Sequence, residues 1–226
     1  MPDKATPTDT PPPSNARTQV LQALEALRGL FPLEQRITHA TPAQRQVYGL
    51  ILATWVEGRI PAAGLGATPG VYELAQQDAL VVSAEGIGCY PFSASDSAIR
   101  VAFRGASLHA MCAIDALAIA RLVAAETRIT SACRVCAAPL ACVVAANGAL
   151  AHHQEPAPRV IWQTEARAGH HCSQTLCRDI RFICAQCDAP PEASLYTLAQ
   201  AAVIGNAFFG FQRTLLAGVH AGRKAK

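Results

Sequence analysis

The sequence of 226 residues is poor in charge and lacks any long apolar run. Charged residues make up 15% of the chain, the formal net charge is +3, and basic residues form no block. So mild a balance gives no electrostatic reason to expect nucleic acid as a partner. Asp115 and Arg121 interrupt the longest apolar stretch, residues 110–125, which falls short of the roughly 18 residues of a membrane span. We therefore expect neither a nucleic acid nor a membrane as partner.

The N-terminus also lacks the apolar segment of a secretory signal. Residues 1–16 instead hold five of the 15 prolines, together with Thr, Ser and Asp. Such a composition buries too little apolar surface to fold, and it predicts a flexible tail. Without an export signal we expect a cytoplasmic protein. The rest of the chain contains enough apolar residues to exclude global disorder, since these make up 51% of the whole.

Cysteine is the residue type in excess. The chain has nine cysteines, an odd number. An odd count in a chain without an export signal disfavours a framework of disulfides. Reduced thiols that bind metal or carry out chemistry are the favoured interpretation.

The first part of the chain predicts a small winged-helix-like domain over residues 17–92. Apolar periodicity from Arg17 predicts one helix, Thr41-Pro42 opens a second, and residues 60–80 contain two short helices. Glu85-Gly86 then marks a hairpin turn. The position of a recognition helix, residues 71–79, has no Lys or Arg, so we expect a packing domain rather than a DNA-binding one.

From residue 93 the pattern changes to strands flanked by helices. Residues 111–125 predict a buried helix, and residues 195–220 predict a final helix. Strands are predicted over residues 99–103, 127–133, 140–145, 159–163 and 176–183. Together these elements predict an α+β fold in which residues 93–226 form a second domain with a mixed sheet and flanking helices.

Cys112 and Asp115 are the first candidate site residues. Residues three apart share a helix face, so the thiol and the carboxyl can face one pocket. A cysteine in a first helical turn also lies near the positive end of the helix dipole, which favours its thiolate. The alternative is a small buried cysteine beside a solvated aspartate. A carboxyl in so apolar a stretch argues against that alternative, because its burial is costly unless it is paired or used.

Cys177 is the third candidate. If residues 176–183 form a strand, then Cys177, Asp179 and Arg181 share one face. An edge strand with a solvated charged face explains the same pattern equally well.

Two segments then resemble the organomercurial (alkylmercury) lyases. Residues 109–117, HAMCAIDAL, resemble the active-site segment of that family, and residues 176–182, LCRDIRF, resemble its second catalytic-cysteine strand. Residues 86–88 resemble the wing-like hairpin of the family and residues 205–208 resemble its C-terminal helix, both in the expected order. The resemblance extends over roughly residues 17–220.

The resemblance implies protonolysis of a carbon–mercury bond to a hydrocarbon and Hg(II). Cys112 would be the first mercury ligand, Cys177 the second and Asp115 the proton shuttle. Thiolates are the soft ligands that a soft cation prefers, so the residue types suit this chemistry. No organic cofactor is implied. The expected partners are an organomercurial substrate, low-molecular-weight thiols and a mercuric reductase, with Hg(II) as the bound product.

The sequence departs from the family at several positions. Arg178 stands where a second cysteine often follows the strand cysteine, and Cys136, Cys184 and Cys187 have no counterpart in the family pattern. Cys133 corresponds to a structural strand cysteine. These departures bear on the substrate more than on the fold.

The departing cysteines form a pattern of their own. Cys133 and Cys136 make one CxxC pair, and Cys184 and Cys187 make another, 47 residues further on. Paired CxxC elements are the usual source of a closed tetrahedral zinc site, so a structural zinc is predicted. A redox or metal-handling dithiol and a set of unrelated thiols are the alternatives.

The remaining histidines and cysteines are predicted to be loop or core residues. Consecutive side chains of a strand point in opposite directions, so the His-His-Cys of residues 170–172 suits an exposed loop better than one metal site. If Cys177 is not the second mercury ligand, Cys172 is the next candidate. The same holds for His152 and His153. Cys89 and Cys142 lie in apolar contexts and are predicted to be core residues.

Two other functions remain open at this point. One is a non-catalytic thiol protein that sequesters Hg, Zn or Cu, and the other is a metal-responsive winged-helix regulator. Sequestration does not require a proton donor at Asp115. A regulator would require basic residues that residues 71–79 lack.

Overall fold

The computed structural model describes residues 14–163 and 171–224 of the chain. Most of the predicted tail, residues 1–13, lies outside the described residues. The last part of that tail is helical, because the first helix begins at Ser14. None of the described helices is both long and apolar enough to cross a membrane.

Helices dominate the first part of the described chain. They are α1 (Ser14–Leu30), α2 (Leu33–His39), α3 (Pro42–Val56) and α4 (Pro69–Gln76), with a 3-10 turn over Ala63–Ala67. Thr41 caps α3 as predicted: its hydroxyl accepts from the Gln44 backbone N–H, while the Gln44 side chain accepts from the Thr41 N–H. Helix α2 was not predicted, because seven residues are too few to show a period.

A short hairpin follows these helices. It consists of β1 (Val81–Val82) and β2 (Ile87–Gly88), paired antiparallel. The predicted turn at Glu85-Gly86 is confirmed. Gly86 is required there, because its φ is +151° and a Cβ would lie 2.6 Å from the Pro61 carbonyl oxygen.

Two antiparallel sheets make up the rest of the core. The strands are β3 (Phe92–Ser93), β4 (Arg100–Phe103), β5 (Ala106–Ala110), β6 (Thr127–Ala132), β7 (Pro139–Val144), β8 (Leu150–His153), β9 (Arg159–Trp162), β10 (Ile180–Ile183) and β11 (Ser194–Thr197). The six-stranded sheet has the order β3-β5-β4-β6-β7-β8, and the three-stranded sheet has the order β10-β9-β11.

The α+β class is as predicted, but the expected mixed sheet is wrong. Every described strand pairing is antiparallel. Tight turns, such as Arg104-Gly105 between β4 and β5 with φ of +46° and +81°, join neighbouring strands and reverse their direction.

The buried helix α5 (Ala113–Val123) lies between the six-stranded sheet and α7 (Leu198–Phe208). The two helices approach closely at Gly205, where a Cβ would lie 2.6 Å from the Ile114 carbonyl oxygen. Helix α1 also contacts α7, since Gln19 accepts a hydrogen bond from Gln200 and donates one to the Leu195 carbonyl.

The single final helix predicted over residues 195–220 is wrong. Residues 194–197 form β11, because Leu195 and Tyr196 pair with β9. Thr197 then caps α7 with a capping box, and the helix ends at Phe208, with Phe209 as its C-cap, before α8 (Gly210–Lys224) begins.

Candidate active site

Cys112 occupies the N-cap of α5, immediately after strand β5. Its φ and ψ of −149° and 179° are extended, and its Sγ accepts a hydrogen bond of 3.4 Å from the Asp115 backbone N–H. The thiol thus takes the capping position that a hydroxyl usually holds. This local geometry directs Cys112 and Asp115 into the same interior space.

Asp115 is a buried carboxyl, with 5% of its surface exposed. Desolvation raises its pKa from 3.8 to about 7, although hydrogen bonds from Cys112 and Cys177 oppose the rise. Both protonation states are therefore populated near neutral pH. The structure rules out the alternative of a solvated aspartate.

Cys177 does not lie on a strand, contrary to the prediction for residues 176–183. It belongs to a single helical turn, α6 (Leu176–Asp179), and strand β10 begins only at Ile180. The reason is the length of the partner: β9 ends at Trp162, opposite Ile180. Cys177 therefore does not share a strand face with Asp179; it is buried, with 4% of its surface exposed.

The structure brings the three predicted site residues together. The Sγ atoms of Cys112 and Cys177 and a carboxylate oxygen of Asp115 all lie within 4.8 Å of one another, and all three residues are buried. The Cys177 thiol lies 3.8 Å from Asp115 Oδ2 and is oriented to donate to it. Two soft ligands and one proton-carrying group thus surround one point.

Both thiols are held in their neutral form. Burial raises the pKa of Cys112 to about 11. The pKa of Cys177 is raised well above its ordinary value, mainly by hydrogen bonds with Cys112 and Cys172 and to a smaller extent by burial. Desolvation thus opposes the thiolate that the helix dipole favours at Cys112. Each thiol requires a proton acceptor when it binds a metal.

Cys172, the alternative candidate for the second ligand, lies beside Cys177. It lies in a 3-10 turn, Cys172–Gln174, with its Sγ 3.6 Å from that of Cys177 and 7% of its surface exposed. The exposed loop expected over residues 170–172 is wrong for this residue, whereas His171 is exposed. His170 lies outside the described residues.

Asp78 and Tyr90 hold the turn that carries Cys172. The Cys172 N–H donates to Asp78 Oδ2 at 2.9 Å, and the Ser173 N–H donates to the Tyr90 hydroxyl at 2.9 Å. That hydroxyl donates in turn to Asp78 Oδ1 at 2.9 Å, and Arg36 forms an ion pair with Asp78 at 3.4 Å. No motif in the sequence marks Asp78 or Tyr90, because their role depends on tertiary contacts.

An open cleft of about 740 Å³ lies beside the buried cysteines. Its lining includes Met111, Ser173 and Arg178, which are the chain neighbours of Cys112, Cys172 and Cys177. Arg134 and Arg181 also line it. The cleft has the size of a small-molecule site. Its arginines give the site a basic rim.

The two CxxC pairs meet in space at a second position. Their four Sγ atoms lie within 4.8 Å of one another, with Cys133 3.8 Å from Cys187 and Cys136 3.7 Å from Cys184. A tetrahedral zinc with bonds of about 2.3 Å places its sulfurs about 3.8 Å apart, which matches both distances. The Cys184 N–H donates to Cys133 Sγ at 3.3 Å.

The remaining predictions have mixed outcomes. Cys89 and Cys142 are buried core residues as expected, and burial raises the pKa of each to about 12. His152 and His153 are not in a loop. They lie in β8, at the edge of the six-stranded sheet, where β8 pairs with β7.

Comparison with known proteins agrees with the site. The sequence profile of the MerB family, described as alkylmercury lyase, matches residues 92–210. A crystal structure of the mercury-bound form of MerB2 aligns with a TM-score of 0.63 and 19% sequence identity, covering 86% of this chain and 99% of that chain. At that identity the likeness shows the fold. No curated protein sequence matches significantly. Because the profile matches more than half of it, the chain belongs to the alkylmercury lyase family.

Proposed function

We propose that Cys112, Cys177 and Asp115 carry out the protonolysis by which this organomercurial lyase cleaves a carbon–mercury bond. Membership of the family supports the activity. The observation that supports the residue assignment is the convergence of two thiols and a buried carboxyl within 4.8 Å. A protein that only sequesters metal does not require the carboxyl.

The proposed steps balance in atoms and charge. Cys112 binds the mercury of R–Hg⁺ and its thiol proton goes to the Asp115 carboxylate. Cys177 binds as the second thiolate, which weakens the carbon–mercury bond, and its proton leaves to the solvent of the adjoining cleft. Asp115 then protonates the carbon as that bond breaks. One R–Hg⁺ and two thiols give R–H, one dithiolate Hg(II) and one proton.

Burial gives Asp115 a suitable pKa for both proton transfers. An ordinary aspartate, with a pKa of 3.8, is too weak a base to take a proton from a thiol whose pKa is about 11. A pKa of about 7 reduces the difference between the pKa values of Asp115 and Cys112, and it leaves the protonated Asp115 acidic enough to protonate carbon. Metal binding to the sulfur supplies the remaining driving force, because it favours the thiolate.

The test is hydrocarbon release from a phenylmercury salt in the presence of excess thiol. We expect benzene from the unmodified protein and none from Cys112→Ser or Cys177→Ser, since an alkoxide is a poor ligand for a soft cation. Cys142→Ser is the matched control, because Cys142 is buried but lies outside the site. Near-full activity of folded Cys177→Ser would show that the second ligand is misassigned.

We propose that a low-molecular-weight thiol removes Hg(II) and passes it to a mercuric reductase. Arg134, Arg178 and Arg181 line the cleft beside the cysteines, and none has an ion-pair partner within the part of the chain that the structure describes. A basic rim of this kind suits a thiol that carries carboxylates. A cytoplasmic location, where such thiols stay reduced, is consistent with all nine cysteines being free.

We also propose that Cys133, Cys136, Cys184 and Cys187 hold a structural zinc. The two thiol separations of 3.7 and 3.8 Å support this, since they match the spacing of sulfurs around tetrahedral zinc, and all four thiols lie within 4.8 Å of one another. One pair lies between β6 and β7, and the other follows β10. A zinc would therefore link the end of β10, which follows the turn of Cys177, to the six-stranded sheet that contains β6 and β7.

The N-terminal elements are proposed to form a winged-helix-like packing unit over residues 17–92, with the catalytic unit over residues 93–226. Four helices followed by a two-stranded hairpin support this division. The unit has a structural role in the proposal, because its Asp78 holds the turn of Cys172. No basic residue lies in residues 71–79, which disfavours a regulator that binds DNA.

A further inference from the structure

We propose that Cys172 is a third mercury ligand, which joins Cys112 and Cys177 on the product Hg(II) and holds it in a three-coordinate state. The inference rests on the proposed roles of Cys112, Cys177 and Asp115. It adds a specific state of the bound product and a residue that controls its release.

The position of the thiol carries the proposal. Cys172 Sγ lies 3.6 Å from Cys177 Sγ, which itself lies within 4.8 Å of Cys112 Sγ, and all three residues are buried. A cation that binds Cys177 therefore has a second thiol beside it at once. Soft cations select thiolates as ligands. In the proposal, a thiol 3.6 Å from Cys177 Sγ therefore binds the metal rather than only lining the site.

The backbone of Cys172 is fixed before any metal binds. Its N–H and that of Ser173 are both engaged, by Asp78 and by the Tyr90 hydroxyl, each at 2.9 Å. Tyr90 and Asp78 bond to each other at 2.9 Å, and Arg36 neutralises the carboxylate. A preorganised ligand loses little entropy on binding, which favours its joining the metal.

The added ligand exchanges one proton and involves no oxidation or reduction. Once Asp115 has protonated the carbon, it is a carboxylate again. The Cys172 sulfur bonds to the dithiolate Hg(II), and its S–H proton goes to that carboxylate. The products are an anionic trithiolate Hg(II) and a protonated Asp115.

A single turnover without external thiol tests the inference. One equivalent of phenylmercury is given to the protein, benzene is measured, and the mercury L-edge X-ray absorption gives the number of sulfur neighbours. We expect three sulfurs for the unmodified protein and for Cys142→Ser, and two for Cys172→Ala. The first-turnover yield of benzene from Cys142→Ser should remain that of the unmodified protein.

Release is a second readout. Transfer of Hg(II) from the reacted protein to an added chelating dithiol should be at least several-fold faster for Cys172→Ala, because one ligand fewer must be displaced. Benzene release together with two sulfurs in the unmodified protein, or three in Cys172→Ala, would overturn this inference alone. The absence of benzene from the unmodified protein would overturn the proposed function as well.

Discussion

At the scale of single residues, Asp115 separates a protein that holds mercury from one that cleaves a bond to it. The Asp115→Asn variant keeps the size and shape of the side chain but carries no exchangeable acid proton. We expect it to take up one organomercurial through Cys112 and Cys177, yet to release hydrocarbon roughly 10²–10⁴-fold more slowly, the usual range for general acid–base help. Single-turnover hydrocarbon release and mercury stoichiometry, measured on the same folded variant, check this. Release at the unmodified rate would remove Asp115 from the mechanism.

The pKa of Asp115 also predicts how stability depends on pH. It is raised from 3.8 to about 7 in the folded state, so the folded chain binds more protons than the unfolded chain between these values. Stability therefore falls as pH rises through this window, by at most about 4 kcal/mol. Asp115→Asn should abolish this part of the dependence, as measured by urea unfolding at pH 5 and pH 8. Asp188→Asn is the matched control at an exposed site and should leave it unchanged.

The site residues differ in how far the sequence predicts them. Cys112 and Asp115 are three apart on one helix, so local periodicity and the family resemblance both identify them. Cys172 is five residues from Cys177 but approaches it only because a 3-10 turn follows the Asp78 anchor. No local period encodes such a contact, so the sequence favours an exposed loop at Cys172 and offers this residue only as an alternative to Cys177.

At the scale of elements, the paired CxxC turns are expected to depend on zinc. The protein purified without chelator should contain about one zinc per chain. Cys184→Ala should lower stability more than Cys142→Ala does, because the first removes a ligand whose metal contributes to folding and the second removes only a buried sulfur. Metal analysis and thermal unfolding check both. Zinc-free reduced protein whose melting temperature does not change on chelation would contradict the proposal.

Helix α5 depends on a glycine in the helix packed against it. A Cβ on Gly205 would lie 2.6 Å from the Ile114 carbonyl oxygen, which is backbone and cannot swing away. Gly205→Ala should therefore destabilise the protein by about 1–3 kcal/mol and slow turnover, because Ile114 lies between Cys112 and Asp115. Gly218→Ala is the control, since nothing lies within 4 Å of the added methyl group. Urea unfolding and benzene release measure the two effects.

Element types were predictable where the chain shows a clear local period. The capped helix α3, the buried helix α5 and the strands β4, β6, β7 and β9 all follow from sequence. The predictions are wrong where pairing with a distant strand determines the element type. Residues 176–179 are predicted as strand but lie beyond the end of the β9 ladder at Trp162. Residues 195–197 are predicted as helix but pair with β9.

At the scale of the whole molecule, the N-terminal helices and the catalytic sheets share the site. Asp78 follows α4, yet it accepts hydrogen bonds from the Cys172 N–H and the Tyr90 hydroxyl. Asp78→Ala should leave these buried donors unpaired and lower stability by about 1–3 kcal/mol. Hydrogen exchange should then accelerate at residues 171–175. Asp96→Ala, which removes an exposed carboxylate, should leave that segment unchanged.

The neutral state of the buried thiols determines which reagents the site rejects. Peroxides and alkylating agents attack thiolates, and their rates follow the fraction of sulfur that is ionised and reachable. Cys112 and Cys177 are buried and their pKa values are raised, so without a metal these sulfurs are neither ionised nor exposed. Ionisation occurs only when a metal bonds to the sulfur as the proton leaves. The fold thereby slows the reaction of these thiols with common oxidants and alkylating agents while leaving them able to bind a soft metal.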